Sequence, residues 1–240
     1  YTDVPGVFTA DPRIVRGARK LHAVSYEEML EMAATGARVL ELRSVEYARN
    51  SKIRVHVRSA FSDEDGTWIA EEDERMERAI IAGVTHDESD AKITVRNVPD
   101  RPGVVAAIFQ AVAAEGVNVD MIVQNVSKDG RTDVSFTVPK ADLLHARSVI
   151  ERVGTEVKAE GFSTDDEIAK VSLVGAGMRS QPGVAADVFS ALANEGINVE
   201  MITTSPIRIS CVVRASDVVR AAQALHDRFS LGEDAVLREH

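Results

Sequence analysis

A segment of 21 residues occurs twice in this chain, and this repeat restricts the possible fold more than any other feature. The first copy covers residues 102–122 and the second residues 182–202, and 13 of the 21 positions carry the same amino acid. Agreement of this extent is too high for two unrelated helices. The C-terminal part of the chain is therefore a duplicated module.

Each copy begins as a helix and continues as a strand. Apolar residues follow the opening Pro-Gly at the spacing of a helix, and proline is tolerated in a first turn because its missing N–H has no partner there. Gly116 and Gly196 stand where each helix should end, since glycine adopts the left-handed conformation at least cost. An alternation of apolar and polar residues then predicts a strand at residues 117–123 and 197–202.

The flanking segments complete the same order of elements in both copies. A strand is predicted before each helix, and a third strand, a second helix and a fourth strand after it. This order is the split βαβ plan, in which helices cover one face of a sheet. We therefore expect an α+β fold with two tandem ferredoxin-like βαββαβ domains, and a dimer at least, because the other sheet face is left for a partner. In the first and second copies, the first strand is predicted at residues 92–95 and 170–174 and the third strand at 132–138 and 207–213. The second helix is predicted at 142–153 and 217–229, and the fourth strand at 156–159 and 235–238.

The composition excludes several classes of protein. The 240 residues carry a formal net charge of −10, which disfavours a nucleic-acid partner because binding nucleic acid requires a basic face. No apolar run is long enough to cross a bilayer, so no membrane association is expected. Cys211 is the single cysteine, so no intrachain disulfide can form and a cytoplasmic location is expected. The six histidines are scattered without ligand spacing, and no metal site is predicted.

The start of the first repeat carries groups that complement a free amino acid. A helix that begins at Pro102-Gly103 presents unpaired backbone N–H groups, which suit an α-carboxylate. Asp100 before this helix and Asp120 on the adjoining strand are anionic and suit an ammonium group. The remaining polar groups of such a ligand could be satisfied by Asn118, Gln124 and Ser127.

Simpler interpretations of the same residues stay open. Asp100 is also placed to act as the N-cap of the helix. Asn118 and Asn198 follow glycines and could be ordinary turn residues. Each of these roles would be structural rather than functional.

The repeats resemble a known family. A Pro-Gly helix start preceded by an acidic residue, with Asn-Val-Asp/Glu-Met-Ile on the next strand, resembles the ACT domain, a small-molecule sensor of amino-acid biosynthetic enzymes. The tandem pair, with Asp100-Arg101-Pro102-Gly103 and the segments 120–127, 170–178 and 203–210, resembles the regulatory half of aspartate kinase. Residues 1–13 resemble the nucleotide-contacting loop near the end of that enzyme's catalytic domain, and residues 25–29 and 42–48 resemble the two helices that follow it.

The resemblance implies a division of the chain into four parts. Residues 1–62 would be the C-terminal remnant of an α/β amino-acid kinase domain, 63–78 a charged linker, 79–160 the first ACT domain and 161–240 the second. The chain would then be a fragment that lacks the N-terminal catalytic part. We expect it to hold no catalytic residue and to be inactive alone.

The resemblance also implies an activity, transfer of a phosphoryl group from ATP to the side-chain carboxylate of L-aspartate in lysine, threonine and methionine biosynthesis. Mg²⁺ would accompany ATP, mostly outside this segment. Lysine, threonine or both would act as allosteric effectors of a homodimer or larger oligomer, with or without a shorter regulatory subunit. The implied ATP contacts are Thr2, Asp3, Phe8, Thr9, Ala10, Asp11, Pro12, Arg13 and Arg38. The implied effector contacts in the first repeat are Asp100, Arg101, Pro102, Gly103, Val104, Val105, Asn118, Val119, Asp120, Gln124 and Ser127.

The second copy differs from the first at its acidic positions. Ser180 replaces Asp100, and Glu200 replaces Asp120. We therefore predict asymmetric copies, in which the first loop holds the effector. The second repeat would contribute, from across an interface, Val184, Ala185, Asn198, Val199, Ser205 and Pro206.

Three departures from the family pattern and several alternatives accompany this interpretation. The family usually has an acidic residue at Pro5, commonly lysine at Arg38 and often glutamate at Pro206. Asp11-Pro12 could merely start a turn. The whole chain could instead be a non-catalytic regulatory subunit that binds a separate kinase chain, or an ACT sensor attached to a different enzyme such as a dehydrogenase.

Overall fold

The computed structural model describes residues 2–72, 80–125 and 129–232, which form two compact units. One unit combines Tyr1–Asp87 with Lys170–His240, and the other is Glu88–Ala169. Among the helices of the described residues, none is both long enough and apolar enough to cross a bilayer.

The N-terminal segment of the first unit is built on a small sheet. Its first helix starts with a capping box, in which the Ser25 hydroxyl accepts the Glu28 N–H and the Glu28 carboxylate accepts the Ser25 N–H. Met29 and Met32 on this helix pack with Ile69 in a fully buried core. The elements are β1 (Ala23–Ser25), α1 (Tyr26–Ala34), α2 (Leu42–Asn50), β2 (Val55–Val57) and β3 (Thr67–Ala70), with the strands in the order β1-β3-β2.

Two predictions for this segment are wrong. The sequence predicts a strand at residues 38–40, but these residues form a turn and a bend. The predicted linker 63–78 contains β3, because Thr67 and Ile69 are buried and the strand pairs with both β1 and β2. The surrounding acidic residues concealed this short alternation, and residues 73–79 of the predicted linker lie outside the described part of the chain.

The first repeat forms a complete βαββαβ module, as predicted. Its sheet has the order β6-β7-β5-β8, and its two helices bury Ile108, Val112 and Ile150 against Phe136 in one core. The strand β4 (Gly83–Asp87) precedes the module in the chain. The module itself consists of β5 (Asp90–Pro99), α3 (Val104–Ala114), β6 (Ile122–Gln124), β7 (Arg131–Pro139), α4 (Leu143–Glu156) and β8 (Gly161–Asp165).

The fourth strand of this module lies later than predicted. Helix α4 continues to Glu156, Val157 is buried in the core, and Lys158 takes a left-handed φ of 60° before the chain can return. Strand β8 then pairs with β5. The predicted strand at residues 156–159 is therefore wrong, and residues 161–165 belong to the first module rather than to the second.

The second repeat forms a module of the same plan, with one strand from elsewhere in the chain. Its elements are β9 (Ile168–Val174), α5 (Val184–Asn194), β10 (Met201–Ser205), β11 (Arg208–Arg214) and α6 (Val218–Arg228), and the sheet order is β10-β11-β9-β4. The edge strand β4 precedes the first repeat in the chain and pairs with β9 in antiparallel fashion. It thus takes the place in the second sheet that β8 takes beside β5 in the first. The predicted strand at residues 235–238 lies outside the described residues, and β4 occupies the place expected for it.

The strands that follow α3 and α5 begin later than predicted. Gly116 and Gly196 end these helices in the left-handed conformation, as expected. The next residues, Val117 and Ile197, are buried, and their N–H groups donate to the carbonyls of Val112 and Leu192 of the preceding helices. They therefore close the helix ends, as hydrophobic residues often do in this motif, and the strands start only at Ile122 and Met201.

Candidate functional site

The tip of α3 is an exposed helix N-terminus whose N-cap is glycine. Gly103 takes a φ of 94°, and no side chain caps the helix. The interpretation of Asp100 as the N-cap is therefore wrong: its N–H donates to the carbonyl of Gly130, and the residue is exposed. The first amides of α3 lack intrahelical acceptors by the geometry of a helix, so this tip can accept an anionic group.

Gly103 is required for its backbone conformation and not for space. A methyl group at Gly103 would meet no atom within 4 Å, but a left-handed φ costs a residue with a side chain about 1–2 kcal/mol. Gly103→Ala is therefore expected to lower the free energy of unfolding by about this amount. Gly154→Ala, within α4, places its new Cβ 3.9 Å from the Ala159 Cβ, an ordinary contact, and should raise the free energy of unfolding by about 0.5–1 kcal/mol. Urea titration of both variants tests this pair, and a loss at Gly154 as large as that at Gly103 would contradict it.

The first module does not bring Asp100 and Asp120 together. Asp100 follows β5, whose last residue is opposite Arg131 of β7, whereas the N–H of Asp120 donates to the carbonyl of Thr137 on the same strand. Six residues of an extended strand separate these two levels by about 20 Å. Strand β7 also lies between β5 and β6, so the two aspartates are not on adjoining strands. One bound amino acid cannot reach both within one module.

The predicted effector residues of the first module therefore divide into two groups. Gln124, at the end of β6, lies towards the end of the sheet where β5 leads into the helix tip, because β6 and β5 both run antiparallel to β7. Ser127 lies outside the described residues. The group at the helix tip is Asp100, Arg101, Pro102, Gly103, Val104, Val105 and Gln124, and the group at the opposite end is Asn118, Val119 and Asp120.

The second module separates its predicted residues in the same way. The N–H of Gly175, after β9, donates to the carbonyl of Ile207, which places the β10–β11 turn at the end of the sheet from which the chain leads to α5. Ser205 and Pro206 of this turn thus lie at the end that carries Val184 and Ala185. Asn198 and Val199 precede Glu200, whose N–H donates to the carbonyl of Val212 near the far end of β11.

The β10–β11 turn contacts the N-terminal segment directly. Arg208 Nη1 lies 2.9 Å from Glu31 Oε2 on α1, and both side chains are largely buried. The Ser205 hydroxyl donates to Glu31 Oε1 at 3.4 Å. Ser205, which is predicted to bind an effector, is thus in direct contact with α1.

A second contact of α1 involves a buried carboxylate. Glu28 is 3% exposed, and its Oε1 accepts the N–H of Ala176, after β9, at 2.9 Å. Sequence reasoning missed Glu28 and Glu31 as links to the second module. The Ser25-x-x-Glu28 pattern indicates a capping box, but it carries no information about a partner 148 positions away.

The predicted nucleotide loop has an exposed charged face. Asp11 accepts the backbone N–H of Arg13 and three hydrogen bonds from its guanidinium group, the shortest of them 2.6 Å. Arg13 lowers the pKa of Asp11, and Asp11, followed by Asp3, raises the pKa of Arg13. Asp3 and Asp11–Arg13 therefore share one surface. Asp11 also starts a turn, since its carbonyl accepts the N–H groups of Ile14 and Val15.

Thr9 and Ala10 in this loop are anchors of the fold. Thr9 is 1% exposed, its N–H donates to the carbonyl of Arg19, and its own carbonyl accepts the N–H of Val84. Its hydroxyl accepts the N–H of Arg19 and lies 3.0 Å from Nε2 of His226 on α6. Ala10 is buried in the core of the second module. The other predicted ATP contacts, Thr2, Asp3, Phe8, Asp11, Pro12 and Arg13, are more exposed than these two anchors, and Arg38 is exposed in its own turn.

Family models match three parts of the chain. Residues 1–59 match the amino acid kinase family, and residues 93–155 and 171–229 each match the ACT domain. The aspartokinase of Mycolicibacterium smegmatis is 52% identical over 238 residues, which are 98% of this chain and 56% of that protein. The chain thus spans just over half the length of this relative.

Solved structures are similar to the chain in fold and sequence. The aspartokinase alpha and beta subunits match with a TM-score of 0.60 and 43% identity, over 62% of this chain and 99% of that one. Aspartokinase III of E. coli matches over 95% of this chain and 51% of its own, with 25% identity and TM-scores of 0.81 in complex with aspartate and ADP and 0.74 in complex with lysine and aspartate.

Proposed function

The chain belongs to the aspartokinase family, and on that premise we propose that it forms the regulatory part of a full-length enzyme that phosphorylates the side-chain carboxylate of L-aspartate with ATP. The enzyme would act in lysine, threonine and methionine biosynthesis. The 52% identity to an aspartokinase over 98% of the chain supports this activity. The catalytic residues themselves are proposed to lie outside these 240 residues.

A single observation carries the regulatory role: the predicted nucleotide loop and the second ACT module share one hydrophobic core. Ala10 and Val15 of the N-terminal segment pack in the same buried cluster as Leu192 and Leu225 of the module. An effector changes the activity of a distant site only if it prefers one of two arrangements of the protein. Because the second module and the nucleotide loop share a core, a change in the arrangement of the module would reach the loop through direct packing contacts.

The helix tip of the first module is the proposed site for the effector. The uncapped first turn of α3 suits a carboxylate, and the exposed Asp100 supplies a negative charge for an ammonium group. The module keeps Asn118, Val119 and Asp120 about 20 Å from that tip, so we propose that another module of the assembly completes the site. Lysine and threonine are the proposed effectors, as lysine is bound in the structure of aspartokinase III. A homodimer or larger oligomer, in which another chain supplies that module, is proposed with it.

The exposed face of the N-terminal loop is proposed as one wall of the ATP site. Arg13 presents a planar cation that Asp11 holds in place, and its side chain is 82% exposed. A guanidinium in this position can pair with phosphate oxygens. Mg²⁺ would neutralise the phosphate charge during transfer, and we assign none of its ligands to these residues.

A cytoplasmic location is proposed for this enzyme. Cys211 is buried, and burial raises its pKa to about 12, so that it remains a protonated thiol. A buried, protonated thiol is unreactive and fills space in the core, which is compatible with a reducing compartment.

Activity and regulation can be tested together on the full-length enzyme. We expect ADP release from MgATP that requires L-aspartate, together with inhibition by lysine, threonine or both. Calorimetry with each amino acid, singly and in combination, identifies the effector and shows whether the two act together. A non-catalytic regulatory subunit is the alternative, and the absence of aspartate-dependent ADP release would favour it.

A further inference from the structure

The second helices of the two modules differ along one face. Aligned from their first residues, Leu143 and Val218, the two helices place Ala146 and Ile150 of α4 at the positions of Ala221 and Leu225 of α6, and all four are buried in their cores. The neighbouring face carries Arg147 and Glu151 in α4, which are exposed. The same positions in α6 are Ala222 and His226, which are both 1% exposed. Only α6 has thus acquired a second buried face.

The N-terminal loop covers this second face of α6. Ala10 and Val15 lie in the same buried cluster as Ala222. Gly17 lies against the His226 ring, since a methyl group on it would be 3.7 Å from Cε1. The nearest polar contact joins Thr9 Oγ1 to His226 Nε2 at 3.0 Å. This contact joins the loop that is proposed to bind ATP to helix α6 of the second ACT module.

The groups around His226 favour one direction for this hydrogen bond. Asp227 Oδ1 lies 3.9 Å from Nδ1, which favours the ring proton on that nitrogen and leaves Nε2 to accept the Thr9 hydroxyl. Burial lowers the pKa of His226, Asp227 opposes this and Arg19 adds to it, so the ring is neutral near pH 7. Thr9 in turn accepts the Arg19 N–H, which ties the two sides of the loop together.

We propose that His226 is a positioning residue for the nucleotide: through Thr9 it holds the loop from Phe8 to Arg13 in the conformation that binds ATP. This inference rests on the proposed function. It assigns to the second ACT module a part in nucleotide affinity even when no effector is bound. His226 itself does not touch the substrate.

The test compares His226→Phe with His226→Gln in the full-length enzyme. Phenylalanine fills the space but cannot accept a hydrogen bond, whereas the glutamine amide oxygen can accept the Thr9 hydroxyl. We expect His226→Phe to raise KM for ATP about threefold to tenfold, the usual effect of one lost hydrogen bond. KM for aspartate should stay within about twofold, and His226→Gln should restore most of the ATP affinity.

The controls separate positioning from general damage. Glu151→Phe makes the corresponding change on the exposed face of α4 and should leave both KM values unchanged. If His226→Phe does not fold, Thr9→Val removes this bond from the other side, together with the bond from the Arg19 N–H, and should raise KM for ATP. An unchanged KM for ATP in a folded variant, or an equal rise for both substrates, would overturn the inference while the proposed activity stands. An inactive wild-type enzyme would refute the proposed function instead.

Discussion

Replacing Glu28 with alanine is expected to lower the free energy of unfolding by about 3 kcal/mol, because three buried donors lose their acceptor. Glu28 Oε2 accepts the N–H and the hydroxyl of Ser25, and Oε1 accepts the N–H of Ala176. The carboxylate thus closes the N-terminus of α1 and ties that helix to the second module. Denaturant unfolding of the variant measures the loss.

The neighbouring Glu27 offers a matched control on the same helical turn. Its carboxylate is half exposed and pairs with Arg49 at 3.1 Å, and surface pairs of this kind contribute less than about 1 kcal/mol. Glu27→Ala should therefore have a small effect. If both variants lost the same stability, the bond to Ala176 would have no special role in joining α1 to the module.

Replacing Asp100 with alanine is expected to weaken effector binding about tenfold to a hundredfold, the usual effect of losing a hydrogen bond to a charged group. The fold should be unaffected, because Asp100 is exposed and caps no helix. Its backbone bond to Gly130 does not depend on the side chain. Calorimetric titration with lysine and with threonine measures the change.

Ser180 stands at the corresponding position of the second repeat and serves as the control. Ser180→Ala should leave the affinity unchanged, since serine there supplies no charge for an ammonium group. Equal losses in the two variants would show that the repeats bind the effector symmetrically. Unchanged affinity in Asp100→Ala would remove the helix tip of the first module from the proposed site.

Most of the fold was predictable because the repeat occurs twice with the same periodicity. The helices α3 to α6 and the strands β7 and β11 lie close to their predicted positions. The prediction was wrong at the ends of elements and at short strands. Strand β3 is four residues long within an acidic stretch, and strands of that length carry too few alternating residues to be recognised.

The candidate site was predictable only as a set of residues. Asp100, Gly103 and Asp120 were recognised by type and spacing, and α3 starts directly after the predicted Pro-Gly without a side-chain cap. Spacing along the chain could not reveal that Asp120 lies about 20 Å from that tip, because this distance depends on which strand of the sheet each residue follows. Thr9 resembled a ligand contact, and its burial became visible only with α6 in place.

The amino-acid sequence by itself determined the local structure: two modules of one plan, their helix starts at Pro-Gly and their helix ends at Gly116 and Gly196. These features depend on neighbouring residues and on the periodicity of apolar side chains. Only the tertiary structure decided that β4 completes the second sheet, and that α6 buries His226 against Thr9. The physical reason is that strand pairing uses backbone N–H and C=O groups, which every residue except proline offers alike. Which distant segment pairs with an edge strand is therefore decided by the packing of the whole chain.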